Sequence, residues 1–187
     1  MKKRILAMVF AAVMACGIAG CGNDKTELEK DYPVIEEMLT ELQSYEAELN
    51  AEAAAEAGMF TIEKGAVAGG QEKWDAFMAE EADSVILCQF TVNGGAMLDY
   101  VYRLEDGTYL VVSDLTRDGY EYEEKQDYKA QWFSEVKVFE NFIAKEGAAP
   151  HTICVMTNDA NLNADTFLKY WIEMSYEENG AFLLFVV

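Results

Sequence analysis

A short segment after residue 157, rich in asparagine and aspartate, has the spacing of a calcium-binding loop. Asp159, Asn161 and Asn163 occupy the first, third and fifth positions of that pattern. The sixth position holds Ala164 instead of glycine, and the twelfth holds Tyr170 instead of a bidentate glutamate. The segment therefore predicts either a weak calcium site or, as we favour, Asx turns that lead into a helix cap. No other cofactor is predicted.

A second group of candidate binding residues surrounds the polar turn that begins at Asp114. Arg117 lies between Asp114 and Asp118, so its guanidinium can either clamp a ligand carboxylate or tie the turn to its own aspartates. Tyr120 and Tyr122 alternate with acidic residues, and rigid amphipathic rings of this kind suit contact with a peptide or glycan. Half-buried positions in a sheet are the structural alternative for these tyrosines. We predict a binding surface at this turn, over 114–122, or on the exposed face of the sheet.

The residue types needed for nucleophilic or zinc catalysis are poorly placed. The only histidine, His151, precedes Cys154 by three positions, and residues three apart in a strand point to opposite faces. Cys88 and Cys154 lie in apolar runs, which favours two buried thiols over a disulfide bridge. The enzymatic alternative is therefore a reaction carried out by acidic residues, which requires two carboxylates converging in a cleft.

The elements that would position these residues belong to an α+β domain. Alternating apolar residues over 84–92, 97–104 and 108–114, with the hairpin signal Asp106-Gly107 between the last two, predict an antiparallel meander. Helices are expected at about 71–82 and 165–174. A further strand is expected around Tyr120 and Tyr122. The region 128–142 fits either a strand or a helix, and we favour a strand that ends near Glu140. The last two strands are expected at 152–157 and 181–187. Together these predict an antiparallel sheet of about five to six strands, in which the apolar last strand lies centrally or against a helix.

An acidic helix is predicted before this domain. From Pro33 to Ala57 the apolar residues recur with helical spacing, interrupted at Glu46, and lysine and arginine are absent. We expect a mostly solvated spacer helix; the alternatives are packing on the domain or pairing with a second copy. The small residues from Gly65 to Gly70 predict a boundary, with a link and spacer over 21–69 and a globular domain over 70–187.

The N-terminus has the pattern of an export signal. Lys2-Lys3-Arg4 is followed by an apolar stretch, and Ile18-Ala19-Gly20-Cys21 resembles the lipobox at which bacterial lipoproteins are cleaved and acylated. This resemblance predicts a cleaved signal peptide over 1–20 and a lipid on Cys21. The expected location is the extracytoplasmic face of the cell membrane, with the membrane itself as one partner.

Several runs in the second part of the chain resemble a family of small lipid-anchored or secreted proteins of Gram-positive bacteria, catalogued as a domain of unknown function. The runs are Trp74-x-x-Phe77, Val85-Ile86-Leu87-x-x-Phe90-Thr91, Asp106-Gly107-Thr108-Tyr109, Asp114-Leu115-Thr116-Arg117-Asp118-Gly119-Tyr120, Lys137-Val138-Phe139-Glu140 and Thr152 to Met156. The resemblance covers about 70–187. Gly94-Gly95-Ala96 departs from it, because an acidic residue and a proline are expected after the glycine. The resemblance implies an extracytoplasmic α+β domain and no particular activity.

The charge of the chain excludes one large class of partner. The 187 residues carry a formal net charge of −20, and nucleic-acid binding depends on a basic surface. The sequence therefore predicts a non-enzymatic, lipid-anchored module that binds an envelope protein, peptide or glycan. The alternatives are an envelope enzyme that uses acidic residues and a weak calcium-binding module.

Overall fold

The computed structural model describes residues 25–90, 95–117, 127–145 and 147–187, with the side chains of the first helix described from residue 32. The helices are α1 (Lys25–Ser44), α2 (Ala51–Glu56), α3 (Gln71–Met78) and α4 (Ala164–Glu173). The strands are β1 (Phe60–Glu63), β2 (Ala66–Gly69), β3 (Ser84–Phe90), β4 (Ala96–Arg103), β5 (Tyr109–Asp114), β6 (Tyr128–Phe133), β7 (Glu135–Phe142), β8 (His151–Thr157) and β9 (Ala181–Val186). Among these described helices, none is long and apolar enough to cross a membrane.

The larger sheet has six strands in the order β2-β1-β3-β4-β5-β6. Its centre is the meander β3-β4-β5, whose antiparallel pairing confirms the prediction for 84–114. The hairpin between β4 and β5 turns at Gly107, which has a φ of 84°, and Asp106 accepts a hydrogen bond from the Thr108 amide. These are the positive φ and the local side-chain bond that a tight turn requires.

The second sheet has three antiparallel strands in the order β7-β8-β9 and packs on one face of the first. Leu87 and Val101 of the first sheet share a core with Met156 and Leu184 of the second. Helix α4 covers the outer face of the second sheet, where Phe167 is fully buried. Helices α1 and α2 cover the outer face of the first sheet. The described chain is thus layered as helix, sheet, sheet, helix.

The predicted α+β class is confirmed, but the single antiparallel sheet is wrong in two respects. Strand β1 pairs with β3 in parallel, so the larger sheet is mixed. Strands β7, β8 and β9 form a sheet of their own. The region 128–142, where one strand ending near Glu140 was favoured over a helix, contains two strands, β6 and β7, separated by Ser134. Alternation along a strand shows which faces are buried but does not specify the neighbouring strand, which explains both errors.

The segment predicted as a solvated spacer helix is interrupted and packed against the first sheet. Helix α1 ends at Ser44, and α2 begins after Asn50, whose side chain accepts a hydrogen bond from the Ala53 amide. Ile35, Met38 and Leu42 of α1 are buried against the sheet. The break coincides with the interruption of the apolar stripe at residue 46, because a continuous helix needs a continuous buried face.

The predicted boundary at 65–70 is a hairpin within the larger sheet. Gly65 lies between β1 and β2, and Gly70 is the N-cap of α3 with a φ of 70°. A Cβ at Gly70 would lie 2.0 Å from the Met59 carbonyl oxygen, so only glycine allows this close approach. Gly69 and Gly70 therefore mark close packing at the end of this hairpin, and Gly65 lies in its open turn.

The last strand, β9, lies at the edge of the second sheet. The sequence predicted a central position or contact with a helix, and β9 achieves burial by contact on two sides. Ala181 faces the cluster around α4, whereas Phe185 packs between the sheets against Trp74 at 5.0 Å between ring centroids. Strand β9 is apolar because both of its faces are buried, one against α4 and the other against the first sheet. It does not need a neighbouring strand on both edges.

Candidate functional site

The predicted binding turn contributes a structural anchor. The Arg117 Nε donates to Asp114 Oδ2 at 3.0 Å, and the remaining guanidinium nitrogens donate to the carbonyl oxygens of Leu42, Tyr45 and Glu46 at the end of α1. The Asp114 side chain is fully buried, and the Arg117 side chain is only 7% exposed. This geometry favours the alternative in which the arginine ties the turn to its own aspartate.

The other residues predicted at this turn are Asp118, Tyr120 and Tyr122, and they lie outside the described residues. The described tyrosines of the sheet do not form one surface. Tyr100 and Tyr102 pack on the α1 side of the sheet, whereas Tyr109 packs between the sheets near Phe77 at 6.0 Å. Burial in the sheet accounts for their positions.

The calcium-like segment uses its side-chain oxygens to order the backbone. Asp159 Oδ1 accepts from the Asn161 amide at 2.9 Å, which is an Asx turn. Asn163 Oδ1 accepts from the Thr166 amide at 3.0 Å and caps α4. These hydrogen bonds form the Asx turn and the helix cap that the sequence favoured over a calcium site.

The two described cysteines are buried free thiols on different layers of the fold. Cys88 lies between the first sheet and its covering helices, and Cys154 lies between the sheets. Desolvation raises the pKa of the Cys88 thiol to about 12 and also raises the pKa of Cys154. His151 is exposed at the start of β8, so it does not share the environment of Cys154. Neither thiol is therefore placed or ionised as a nucleophile.

A cleft of about 380 Å³ opens between the two sheets beside β9; we call it the inter-sheet cleft. Gln89, Met97 and Asp99 line it from the first sheet. Phe185 of β9 and Glu177 of the preceding loop line it from the other side. Its volume falls within the range of about 300–1,000 Å³ typical of ligand sites, and its walls are mainly apolar with a few polar groups.

Asp99 is a carboxyl group buried in the wall of this cleft. Only 2% of the residue is exposed, and it lies in the middle of β4 between Leu87 of β3 and Ser113 of β5. Ser113 Oγ donates to Asp99 Oδ1 at 2.5 Å. Desolvation raises the pKa of Asp99 to about 6, against hydrogen bonds from Ser113 and Gln89 and the charge of Lys129, which lower it. Burial of an ionisable group in a cleft is typical of functional sites.

Gln89 connects this carboxyl group to the edge of β9 that pairs with no other described strand. Its Nε2 donates to the Leu184 carbonyl oxygen at 2.7 Å, and its side chain also bonds Asp99. Glu177 adds a second carboxylate to the cleft, with its Oε2 3.6 Å from Lys129 Nζ. The cleft thus combines a strand edge, aromatic walls and negative charge.

Asp99, Gln89 and Glu177 were not predicted as site residues. The alternation over 97–104 predicts one buried face for this strand, with Leu98 and Tyr100 on it, and assigns no role to the alternate positions. Those positions are Met97, Asp99 and Val101, and they face the second sheet. One signal was present: a lone aspartate between apolar residues in a strand that is apolar on both faces.

Comparisons of the chain with protein-family models, with curated proteins and with solved structures found no match. The family resemblance stated for about 70–187 therefore stays a prediction.

Proposed function

We propose that this protein is a lipid-anchored binding module on the extracytoplasmic face of the cell membrane, and that its ligand occupies the inter-sheet cleft. The location follows from the signal-like N-terminus and the lipobox-like sequence that ends at Cys21. The observation that carries the binding proposal is the cleft itself, with the buried Asp99 carboxyl in its wall. Envelope proteins, peptides and glycans remain the candidate partners.

Binding explains the composition of the cleft better than a packing role does. A carboxyl group buried between two sheets loses hydration, and an apolar residue of similar size would avoid that cost. The neighbouring position on the same face of β4 is Val101, which is fully buried and packs in the core. Asp99, in contrast, lines the cleft. A ligand there can supply the charged or hydrogen-bonding partner that water supplies to a carboxylate on the surface.

Site-specific crosslinking in intact cells tests the proposal. A photoreactive side chain replaces Met97, which lines the cleft, and in a matched strain it replaces Met78, which is 39% exposed on α3 away from the cleft. We expect a discrete adduct at position 97 that is absent at position 78. The proposal is wrong if position 97 gives no adduct or gives the same products as position 78.

An envelope enzyme that uses acidic residues is the second candidate, because Asp99 and Glu177 line the same cleft. Two carboxyl groups with different environments can divide the acid and base roles of a hydrolytic reaction. Asp99 is buried and Glu177 is exposed beside Lys129, so their environments differ in this way. Purified chain incubated with envelope glycan or peptide would release products, and Asp99→Asn and Glu177→Gln would each abolish the release. Absence of products from the unaltered chain rejects this candidate.

A further inference from the structure

We infer that the inter-sheet cleft binds an extended peptide segment with a basic side chain, whose charge pairs with Asp99 and whose backbone pairs with the edge of β9. This inference depends on the proposed function and names its ligand class. It combines three features of the cleft: a strand edge, a negative charge and apolar walls.

The strand edge is the first feature. Among the described strands, β9 pairs only with β8. Thr152 and Val187 exchange two backbone hydrogen bonds across that pair, so the main-chain groups of Val186 point to the opposite edge. At the same edge the Leu184 carbonyl oxygen accepts from the Gln89 side chain instead of from a strand. An added peptide strand can pair with groups of this kind, as in other cases of strand addition.

The charge determines which side chain the peptide carries. Asp99 and Glu177 line the cleft, and Lys129 lies next to Glu177. Ser113 donates a hydrogen bond to Asp99 Oδ1, and the Gln89 side chain lies beside the same carboxyl group. An ionised carboxylate accepts about four hydrogen bonds, so Asp99 retains capacity for a ligand ammonium or guanidinium. An acidic side chain would instead bring a further negative charge against the buried carboxylate.

The aromatic walls accommodate the rest of that side chain. Phe90, Phe182 and Phe185 line the cleft. The methylene stem of a lysine or arginine packs on such apolar surfaces while its charged end reaches a partner, and aromatic faces attract the cation. The cleft is therefore complementary to both parts of a long basic side chain.

The test uses the full chain in mild detergent and three capped five-residue peptides that differ only at the central position, which is lysine, glutamine or glutamate. We expect the lysine peptide to bind at least about tenfold more tightly than the glutamine peptide, since close charge pairs in interfaces are worth more than 1.4 kcal/mol. The glutamate peptide should bind most weakly. Equal binding of the lysine and glutamine peptides overturns the inference.

Variants of the chain assign the charge effect to Asp99. Asp99→Asn preserves the shape of the side chain and should reduce binding of the lysine peptide to the level of the glutamine peptide. Asp83→Asn makes the same chemical change at an exposed position beside the other end of β3 and should leave binding unaltered. Unchanged binding by Asp99→Asn contradicts the inference.

Two further ligands test the strand pairing. Methylation of the peptide nitrogens that face β9 removes hydrogen-bond donors and should abolish binding, whereas methylation of the alternate nitrogens should not. Butylamine carries the charge without a backbone and should bind far more weakly than the lysine peptide. Equal binding of butylamine means that the cleft takes small amines, which overturns the peptide assignment. In that case a position-97 adduct would still support the proposed function, so the two failures are distinguishable.

Discussion

The contact between Arg117 and the end of α1 gives the sharpest prediction about stability. The guanidinium bonds Asp114 and three carbonyl oxygens, that of Leu42 in the last turn of α1 and those of Tyr45 and Glu46 just after it. Carbonyl groups at a helix C-terminus have no partner within the helix. A positive charge at that position also opposes the negative end of the helix dipole. Arg117→Met would remove all of these bonds and leave the Asp114 carboxylate buried without its counter-ion.

The expected cost is about 4 kcal/mol, because removal of one partner from a buried ion pair typically costs about 3–5 kcal/mol. The pair is buried on both sides, with 7% of the Arg117 side chain and none of the Asp114 side chain exposed. A surface pair would be worth about 1 kcal/mol or less. With a urea m-value of about 2 kcal/mol/M, the unfolding midpoint should fall by about 2 M. Arg117→Lys should recover only part of the loss, since a single ammonium cannot bond all four acceptors.

Urea unfolding of the full chain measures this cost, and hydrogen exchange shows where it acts. The amides of α1 should lose protection before those of β3 to β5. Lys73→Met removes a positive charge from an exposed position on α3 and should change stability by about 0.5 kcal/mol or less. Replacing Asp114 by asparagine in the Arg117→Met chain should recover part of the loss, because the unpaired charge is gone. A cost below about 1 kcal/mol for Arg117→Met, or no recovery in the double variant, would refute the reasoning.

The remaining predictions concern the Asp99 carboxyl group, the two described thiols, the Asn163 segment and Cys21. Burial raises the pKa of Asp99 from 3.8 to about 6, so the protonated carboxyl group stabilises the fold and this stabilisation is lost as pH rises through that interval. The free energy of unfolding should fall by about 3 kcal/mol over the interval. Urea titrations at several pH values should show this fall in the unaltered chain and not in Asp99→Asn. Cys88 and Cys154 should resist iodoacetamide in the native chain and both react in urea. Asn163→Ala should cost about 1 kcal/mol through loss of the α4 cap, and millimolar Ca²⁺ should leave the urea midpoint unchanged. Cys21→Ser should move the protein from the membrane fraction to the soluble fraction; unchanged fractionation would contradict the proposed anchor.

Local signals in the sequence predicted the elements that depend on nearby residues. The meander follows from period-two alternation and one two-residue turn, and both are read within about thirty residues. Helix α4 follows from its cap, because the Asn163 side chain bonds the Thr166 amide only three residues away. Both features depend on contacts between residues that are close together in the sequence.

Features that depend on distant residues were not predicted. Strand β1 has four residues and pairs in parallel with β3 across the β1–β2 hairpin and α3. The choice between one sheet and two depends on whether β7 continues beside β6 or turns away at Ser134. Neither the partner of β1 nor the division into two sheets changes the alternation of apolar and polar residues within a strand. Neither could therefore be predicted from that alternation.

The candidate site was missed for a related reason. Alternation was used to choose one buried face for β4, but the second sheet buries the other face as well. Asp99 was therefore given no role, although the structure buries it to 2% exposure in the wall of the cleft. Its partner Gln89 sits on the equivalent face of β3, and the edge of β9 that completes the cleft is almost a hundred residues away in sequence.

Helix α1 runs along the first sheet toward the end at which the cleft lies. Ile35 shares a cluster with Leu110, near the start of β5. Leu42, two turns later, shares a cluster with Leu98 near the start of β4. Leu98 pairs with Asp114, the last residue of β5, so the two contacts lie at opposite ends of the sheet. The helix therefore starts at one end of the sheet and finishes at the other.

This direction decides how a chain anchored through Cys21 would present its cleft. Helix α1 starts at Lys25, and the four peptide units from Cys21 span at most about 14 Å. If Cys21 carries the proposed lipid, the end of the molecule nearest the membrane is the end from which α1 starts. Gln89 and Met97 of the cleft lie at the other end, where β3 finishes and β4 begins. With the proposed anchor, the cleft faces away from the bilayer and is reached by extracytoplasmic peptides in preference to membrane lipids.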